Sequence, residues 1–257
     1  MAHMKNKRMI TNRRTALSRL GGLAALAGAG STYAQSSGIT VAYALPQMAY
    51  GGGWNTTLYF ANTSANAATV TLKFFDQQGS PMQVPIGGAA ARDTHTLDLN
   101  PRASGMAEVQ NTGELKQGWV EATVPEGVTG YGVFRQTAEG RADQEAVVPL
   151  VIETATVAQM VYDDVNLVTG LAIVNPGTAR ALINILAYNA SGAQTGNADI
   201  ALEPRARTAV TLRELAGMGG VAGSRGWLSI TTTSGTVAVL GLRFGTAAFT
   251  SIPAVHK

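Results

Sequence analysis

Histidines, carboxylates and hydroxyls must carry whatever side-chain chemistry this chain performs, because its 257 residues include no cysteine. That composition removes disulfides, thiolate metal sites, thiol nucleophiles and a lipidated cysteine anchor together. A Ser-His-Asp hydrolase needs a histidine that takes the serine proton and a carboxylate that orients the ring. Apart from His3, the chain offers His95 and the penultimate His256. His95 lies in RDTHTLDL, where alternation puts it on one strand face with Asp93 and Leu97, the setting of a rim or solvent-facing histidine. No G-x-S-x-G turn accompanies it. No catalytic residue is assigned, and the chain reads as non-enzymatic.

Two well-separated histidines cannot form a histidine-rich zinc or copper site. Calcium takes several oxygens from one short loop, and YDDVN (162–166) offers Asp163, Asp164 and Asn166 as the one weak candidate set, but an Asp-Asp pair is more often a solvated turn and no metal is assigned. No cofactor is expected. Glu108, Glu114, Glu121 and Glu126 are scattered over one strand and its loops, and read as surface charge, not as the facing pair of a glycosidase. Asp76 and Asn189 occupy matching turns, where their side chains would bond the local backbone.

The stretch QMAYGGGW (47–54) sets three glycines between aromatic residues. A phosphate-cradling loop places its glycines between a strand and a helix N-terminus. Here they lead into NTTLYFAN, a strand pattern, so the glycines read as a tight bend. Tyr50, Gly51, Gly52, Gly53 and Trp54 remain candidates for a binding loop, since exposed rings beside polar turns hold sugar rings. Packing in the core or at an interface is the competing account of Trp54. Trp119 and Trp227, matched in GWVEATV and GWLSITT, are expected in the cores.

That match belongs to an internal repeat. QMAY (47–50) recurs as QMVY (159–162), and 55–80 aligns with 167–193, placing Asn62 on Asn175, Phe75 on Tyr188 and Asp76 on Asn189. LNPRAS (99–104) then matches LEPRAR (202–207), and YGVFR (131–135) sits near LGLRF (240–244). Short alternating runs bounded by Gly, Pro, Asn and Ser predict strands in both copies: TLYFAN, ATVTLKFFD, THTLDL, WVEATV and YGVFRQ, then GLAIVN, ALINILAYN, TAVTL, WLSITT and VAVLGLRF. RELAGMGG (213–220) predicts one helical turn ended by its glycines. The expected fold is all-β: two tandem antiparallel immunoglobulin-like β-sandwich units, 39–150 and 153–257. The junction VVPLVIETATV (147–157) is apolar and predicts close packing of the units, not a flexible linker.

Residues 1–34 carry Lys5, Lys7, Arg8, Arg13, Arg14 and Arg19 with no acid, then the apolar run LGGLAALAGAG and the small residues Thr32 and Ala34. This is the pattern of a cleavable signal peptide, with cleavage after Ala34. Arg13-Arg14 followed by Thr-Ala-Leu resembles a twin-arginine signal, with the general secretory route open beside it. The apolar run is far shorter than the ~20 residues that span a bilayer. Without the segment, the charge changes from +3 to 13 positive against 16 negative residues, so neither nucleic acid nor stable membrane insertion is implied. The expected address is exported: periplasmic, cell-surface or extracellular.

At QMAYGGGWNTTLYFANTSANAATVTLKFFDQQGSP, and again at GWVEATV, GYGVFRQ and GLRFGTAAFTSIPAV, the chain resembles a family of uncharacterised exported bacterial tandem-repeat β-sandwich proteins with a GGGW-containing opening segment. The resemblance implies tandem sandwiches over 39–257 and brings no activity with it. The second copy departs from the pattern with YDDVNLVTG where GGGW would stand. The expected function is an exported structural or interaction protein that contacts another protein, a surface polysaccharide or itself, with GITVAYALPQ (38–47) as the strand suspected of adding to a neighbour's sheet. The alternative is a carbohydrate-binding module with Tyr50 and Trp54 as its platform.

Overall fold

Alternating side chains decide most of this structure. In ATVTLKFF (68–75), Ala68, Val70, Leu72 and Phe74 turn inward while Thr69, Thr71 and Lys73 face out, and ALINILAYN (181–189) buries Ala181, Ile183, Ile185 and Ala187 in the same way. The computed structural model describes residues 38–140, 142–245 and 249–257. The proposed signal segment, 1–34, lies outside the described residues. Among these no helix is long and apolar enough to cross a membrane.

The first nine strands are β1 (Thr40–Tyr50), β2 (Trp54–Asn62), β3 (Ala68–Phe75), β4 (Thr94–Leu99), β5 (Ser104–Val109), β6 (Lys116–Pro125), β7 (Val128–Gln136), β8 (Gln144–Pro149) and β9 (Val151–Ile152). Nine more follow: β10 (Val157–Asp163), β11 (Val168–Val174), β12 (Ala181–Asn189), β13 (Gln194–Leu202), β14 (Arg207–Thr211), β15 (Arg225–Ser234), β16 (Ala238–Phe244), β17 (Phe249–Pro253) and β18 (Val255–His256). They form four antiparallel sheets. The first half makes β4-β3-β6-β1-β9 and β5-β2-β7-β8; the second makes β13-β12-β15-β10-β18 and β14-β11-β16-β17. Adding nine to each strand number turns the first pair of sheets into the second. In each half a five-stranded and a four-stranded sheet face one another across a core, with Leu72, Val120 and Phe60 in the first and Ile185, Leu228 and Ile173 in the second.

The expected helical turn is observed as two 3-10 turns, Leu212–Glu214 and Gly219–Val221. The apolar junction is tied down: Ala155 is buried, and its carbonyl accepts the Val237 N–H at 2.8 Å. The strand suspected of adding to a neighbour lies inside its own sheet. β1 pairs with β6 along most of its length, and on its other side β9 covers it at Tyr43 and Ala44.

Equivalent strands differ in how much of them is covered. In β2, Tyr59 faces solvent, whereas every residue of β11 from Thr169 to Val174 is buried. Conversely β6 is buried continuously from Gly118 to Ala122, while β15 alternates around Leu228 and Ile230. Continuous burial means that both faces of a strand are covered. The outer face of β4-β3-β6-β1-β9 and the outer face of β14-β11-β16-β17 cover one another. Ala44, Trp119 and Val151 cluster with Val174 and Ala238, and Ala172 and Leu240 join the first core.

Two asparagines hold equivalent loops. Asn175, fully buried, donates from Nδ2 to the carbonyls of Ala179 (2.8 Å), Leu202 (3.1 Å) and Glu203 (3.1 Å), and its Oδ1 accepts the Gly177 N–H at 3.0 Å. Asn62 repeats the set with Asn66, Leu99, Asn100 and Ser64. Removing one such side chain orphans several buried backbone groups. Asn175→Ala is therefore expected to lower the unfolding free energy by about 2–4 kcal/mol in a denaturant titration.

Candidate functional site

The three glycines form the bend from β1 into β2, with φ of 75°, 58° and 90° at Gly51, Gly52 and Gly53. A Cβ on Gly51 would stand 2.1 Å from the Glu114 carbonyl oxygen, and one on Gly53 2.6 Å from that of Thr137. Gly52 N–H donates to Gly113 O at 3.0 Å, Gly53 N–H to Asn111 Oδ1 at 3.1 Å and Trp54 N–H to Gly51 O at 3.1 Å. These donors are committed inside the protein, so the loop does not aim them at a ligand.

The aromatic residues of this loop part company. Tyr50 is 3 % exposed, and its hydroxyl donates to Gln83 O at 3.0 Å, which removes its ring from the surface. Tyr43 is half-buried against the first core. Trp54, also half-buried, stacks on Phe134 (5.7 Å between centroids) and meets Phe249 of β17 edge-on at 5.6 Å. It is an interface side chain. Beside it lies a cleft of about 600 Å³ between the halves, lined by Gln47, Ala49 and Trp54 on one side and by Gly170, Val210 and Leu242 on the other.

The strongest electrostatic feature of the same interface lies on the outer face of β6. Glu121, expected at the surface, is 4 % exposed. Alternation does turn it away from the first core, but the second half covers that face. Its carboxylate takes Lys73 Nζ at 2.9 Å and the Arg205 guanidinium. Arg205 also lies over the rings of Phe75 (5.5 Å) and Trp119 (5.9 Å), while Trp119 Nε1 donates to the Arg205 carbonyl at 2.7 Å. Nearby, Arg207 is buried and donates to Gln47 Oε1, and burial pushes its pKa down to about 10. Arg207 still carries its charge at neutral pH.

The matched tryptophans diverge. Trp119 is fully buried and stacked on Phe75 at 4.8 Å. Trp227 is 39 % exposed and stacked on Tyr188 at 4.7 Å, so the expectation of a core residue fails there. Both tryptophans point away from their own core; only the first has a second half to cover it. Gly118 and Gly226 admit the neighbouring strand to each pair, since a Cβ would stand 2.1 Å from Phe75 O and 1.7 Å from Tyr188 O.

Asp163 and Asp164 are held by different cations. Asp163 Oδ2 accepts Arg225 Nε at 2.8 Å, whereas buried Asp164 pairs with Arg213 at 2.6 Å and accepts the Thr169 N–H at 2.8 Å. Asn166 is exposed. Among the described residues no group of three His, Asp or Glu side chains could hold a metal ion. His95 places Nε2 3.0 Å from Val84 O, and His256 Nε2 accepts the Val239 N–H at 2.9 Å. Asp76 Oδ1 accepts the N–H groups of Gln78 and Ser80, and Asn189 Oδ1 those of Ser191 and Ala193, the local bonding expected of both turns.

Glu153 completes the interface cluster. Burial, followed by repulsion from Glu121, pushes its pKa up to about 7 from an ordinary 4.5. Its Oε1 lies 3.7 Å from Arg205, too far for a hydrogen bond, and is buried without a partner. A raised folded pKa gives stability that is complete below 4.5 and lost as pH rises through about 7. His256, whose pKa burial lowers, acts in the opposite sense: its contribution is lost as pH falls below 6.5. Comparing Glu153→Gln with its parent cancels the histidine term. The variant should match the parent in urea titrations below pH 4.5 and exceed it by on the order of 2 kcal/mol at pH 8. A constant difference across that range would refute the assignment.

Arg205 and Glu153 lay outside the candidates read from the sequence, although LNPRAS over LEPRAR already aligned Arg102 with Arg205. No protein-family model, curated protein or solved structure matches the chain.

Proposed function

We propose that the chain is an exported, non-enzymatic structural or interaction protein built of two tandem immunoglobulin-like β-sandwich units, one over 39–150 and one over 153–257. The observation that carries this reading is the doubled strand order joined face to face, with the counterparts of the two joined faces left open and apolar. Tyr59, Met106 and Tyr131 stand on one open face; Val161, Trp227 and Val255 stand on the other. Extended apolar surface of this kind marks contact with a partner. The basic, then apolar, then small-residue pattern of 1–34 supports export, and the resemblance to exported tandem-repeat sandwich proteins agrees with both parts. The carbohydrate platform at the opening loop loses its basis, because Tyr50 is buried and Trp54 is occupied by Phe134 and Phe249.

Fractionation of a bacterial host expressing the full chain, with N-terminal sequencing, is expected to give a mature protein outside the cytoplasm that begins at Gln35. An unprocessed cytoplasmic chain overturns the export part. Assays of the mature protein on ester, glycoside and peptide substrates are expected to give no turnover; turnover abolished by His95→Ala overturns the non-enzymatic part.

A further inference from the structure

We infer that copies of this chain assemble head to tail, the outer face of β5-β2-β7-β8 in one copy docking on the outer face of β13-β12-β15-β10-β18 in the next. The inference rests on the structural reading above and names its partner as a second copy. The chain already contains one example of the contact. Inside it, the outer face of the first five-stranded sheet meets the outer face of the second four-stranded sheet. Because the strand order is duplicated, each half owns both kinds of face, and one of each is left unused.

Register makes the correspondence specific. Tyr59 pairs with Tyr131 across β2 and β7 as Ala172 pairs with Leu240 across β11 and β16. Ala172 and Leu240 are fully buried against the first half; Tyr59 and Tyr131, at the same places, are exposed with ring centroids 5.6 Å apart. Phe75 pairs with Trp119 across β3 and β6 as Tyr188 pairs with Trp227 across β12 and β15. The first pair lies under Arg205 and is buried at Trp119, whereas in the second Trp227 is 39 % exposed.

The residue that would cover it is present at the far end. Arg102 occupies the place of Arg205, and these two are the only non-glycine residues of positive φ among the described residues, at 56° and 62°. Each turn thus holds an arginine in a backbone conformation that costs free energy without glycine. In the second half that conformation presents Arg205 to an aromatic pair; in the first, Arg102 is exposed. Docking of the open faces would bring Arg102 over Tyr188 and Trp227.

The open face lacks the ion pair of the internal joint, since Ser229 stands where Glu121 would be and Leu186 where Lys73 would be. The two faces differ from one another, which makes the contact heterologous: repetition gives an open filament, or a ring if the rotation closes. Strand addition is not required, since β1 is paired within its own sheet.

Sedimentation velocity of the mature protein over a concentration series tests this. The parent should form a concentration-dependent series of species, or one ring. Tyr131→Glu and Trp227→Glu, both at exposed positions, should each keep the parental circular dichroism and thermal midpoint, and raise the concentration of half-assembly by more than about tenfold. Val255→Glu is a second variant of the same face should Trp227→Glu fail to fold. A mixture of the two single variants should form a 1:1 dimer, because each supplies the face that the other has lost. A parent monomeric up to its solubility limit overturns the inference, as does a dimer in either variant alone, which indicates a self-complementary face. A monomeric parent that binds a polysaccharide through Trp227 overturns it in favour of a sugar surface. None of these outcomes touches the export and turnover measurements, so the two readings fail separately.

Discussion

Arg205, laid across Phe75 and Trp119 and paired with Glu121, is the contact on which the joining of the two halves depends. The guanidinium works in two directions at once. Its plane covers two rings that would otherwise face water, and its charge neutralises a carboxylate that burial alone would make costly. The backbone participates as well, because the carbonyl of Arg205 accepts the Trp119 indole N–H. Such a set holds one arrangement: sliding the faces by one residue would leave Glu121 buried without its arginine. The same interface carries groups that are poorly satisfied, Glu153 Oε1 and the Nε and Nη1 of Arg207. The joint is therefore specified by its charges and stabilised by its apolar contacts, of which Ala172, Leu240 and Trp119 are fully buried.

Duplication explains why the two halves look different in burial while sharing one topology. A sheet face that meets a partner can carry residues such as Gly170, Ala172 and Val174, small enough for close approach; its counterpart in the first half carries Thr57, Tyr59 and Ala61. The tryptophan pair shows the same point from the other sheet. Trp119 and Trp227 have equivalent neighbours, a glycine before and an aromatic residue across, yet one is buried and the other is not. What differs is the second half of the molecule, which only the first tryptophan can reach.

The elements that local pattern predicts are those with strong alternation: ATVTLKFF, ALINILAYN, WVEATV and GLAIVN all fall on strands. Among the segments that escaped are SGMAEV and QTGNADIAL, edge strands β5 and β13, whose glycine, alanine and polar residues carry little β preference. Pairing to a strong neighbour decides their conformation, β5 to the distant β2 and β13 to β12, and a linear pattern does not display that neighbour. The internal repeat was legible because Asn62 and Asn175 tie the same loop through the same hydrogen bonds, which preserves their spacing. The interface was not legible. Alternation correctly turned Glu121 and both tryptophans away from the cores, but whether an outer face meets water or another sheet depends on the packing of whole halves. Arg205 was hidden for the same reason, since an arginine in a turn is normally solvated.

Arrays of repeated units normally end in polar outer faces, because an apolar end attracts further units. Here the two ends are not capped in that way. Tyr59 and Tyr131 lie on the central strands of one open face with Met106 and Val147 on its edge strands, and Trp227, Val161 and Val255 lie on the other. Charged groups stand in the same sheets: Arg135 pairs with Asp143 and Glu145 in the first, and Arg225 pairs with Asp163 in the second. An apolar centre with charge at its margin is the usual composition of a docking surface. Random exposure would not place these apolar residues at the very register positions that the internal joint uses. The outer faces that the internal joint leaves unused thus expose Tyr59, Tyr131 and Trp227 at strand positions whose counterparts Ala172, Leu240 and Trp119 the joint buries.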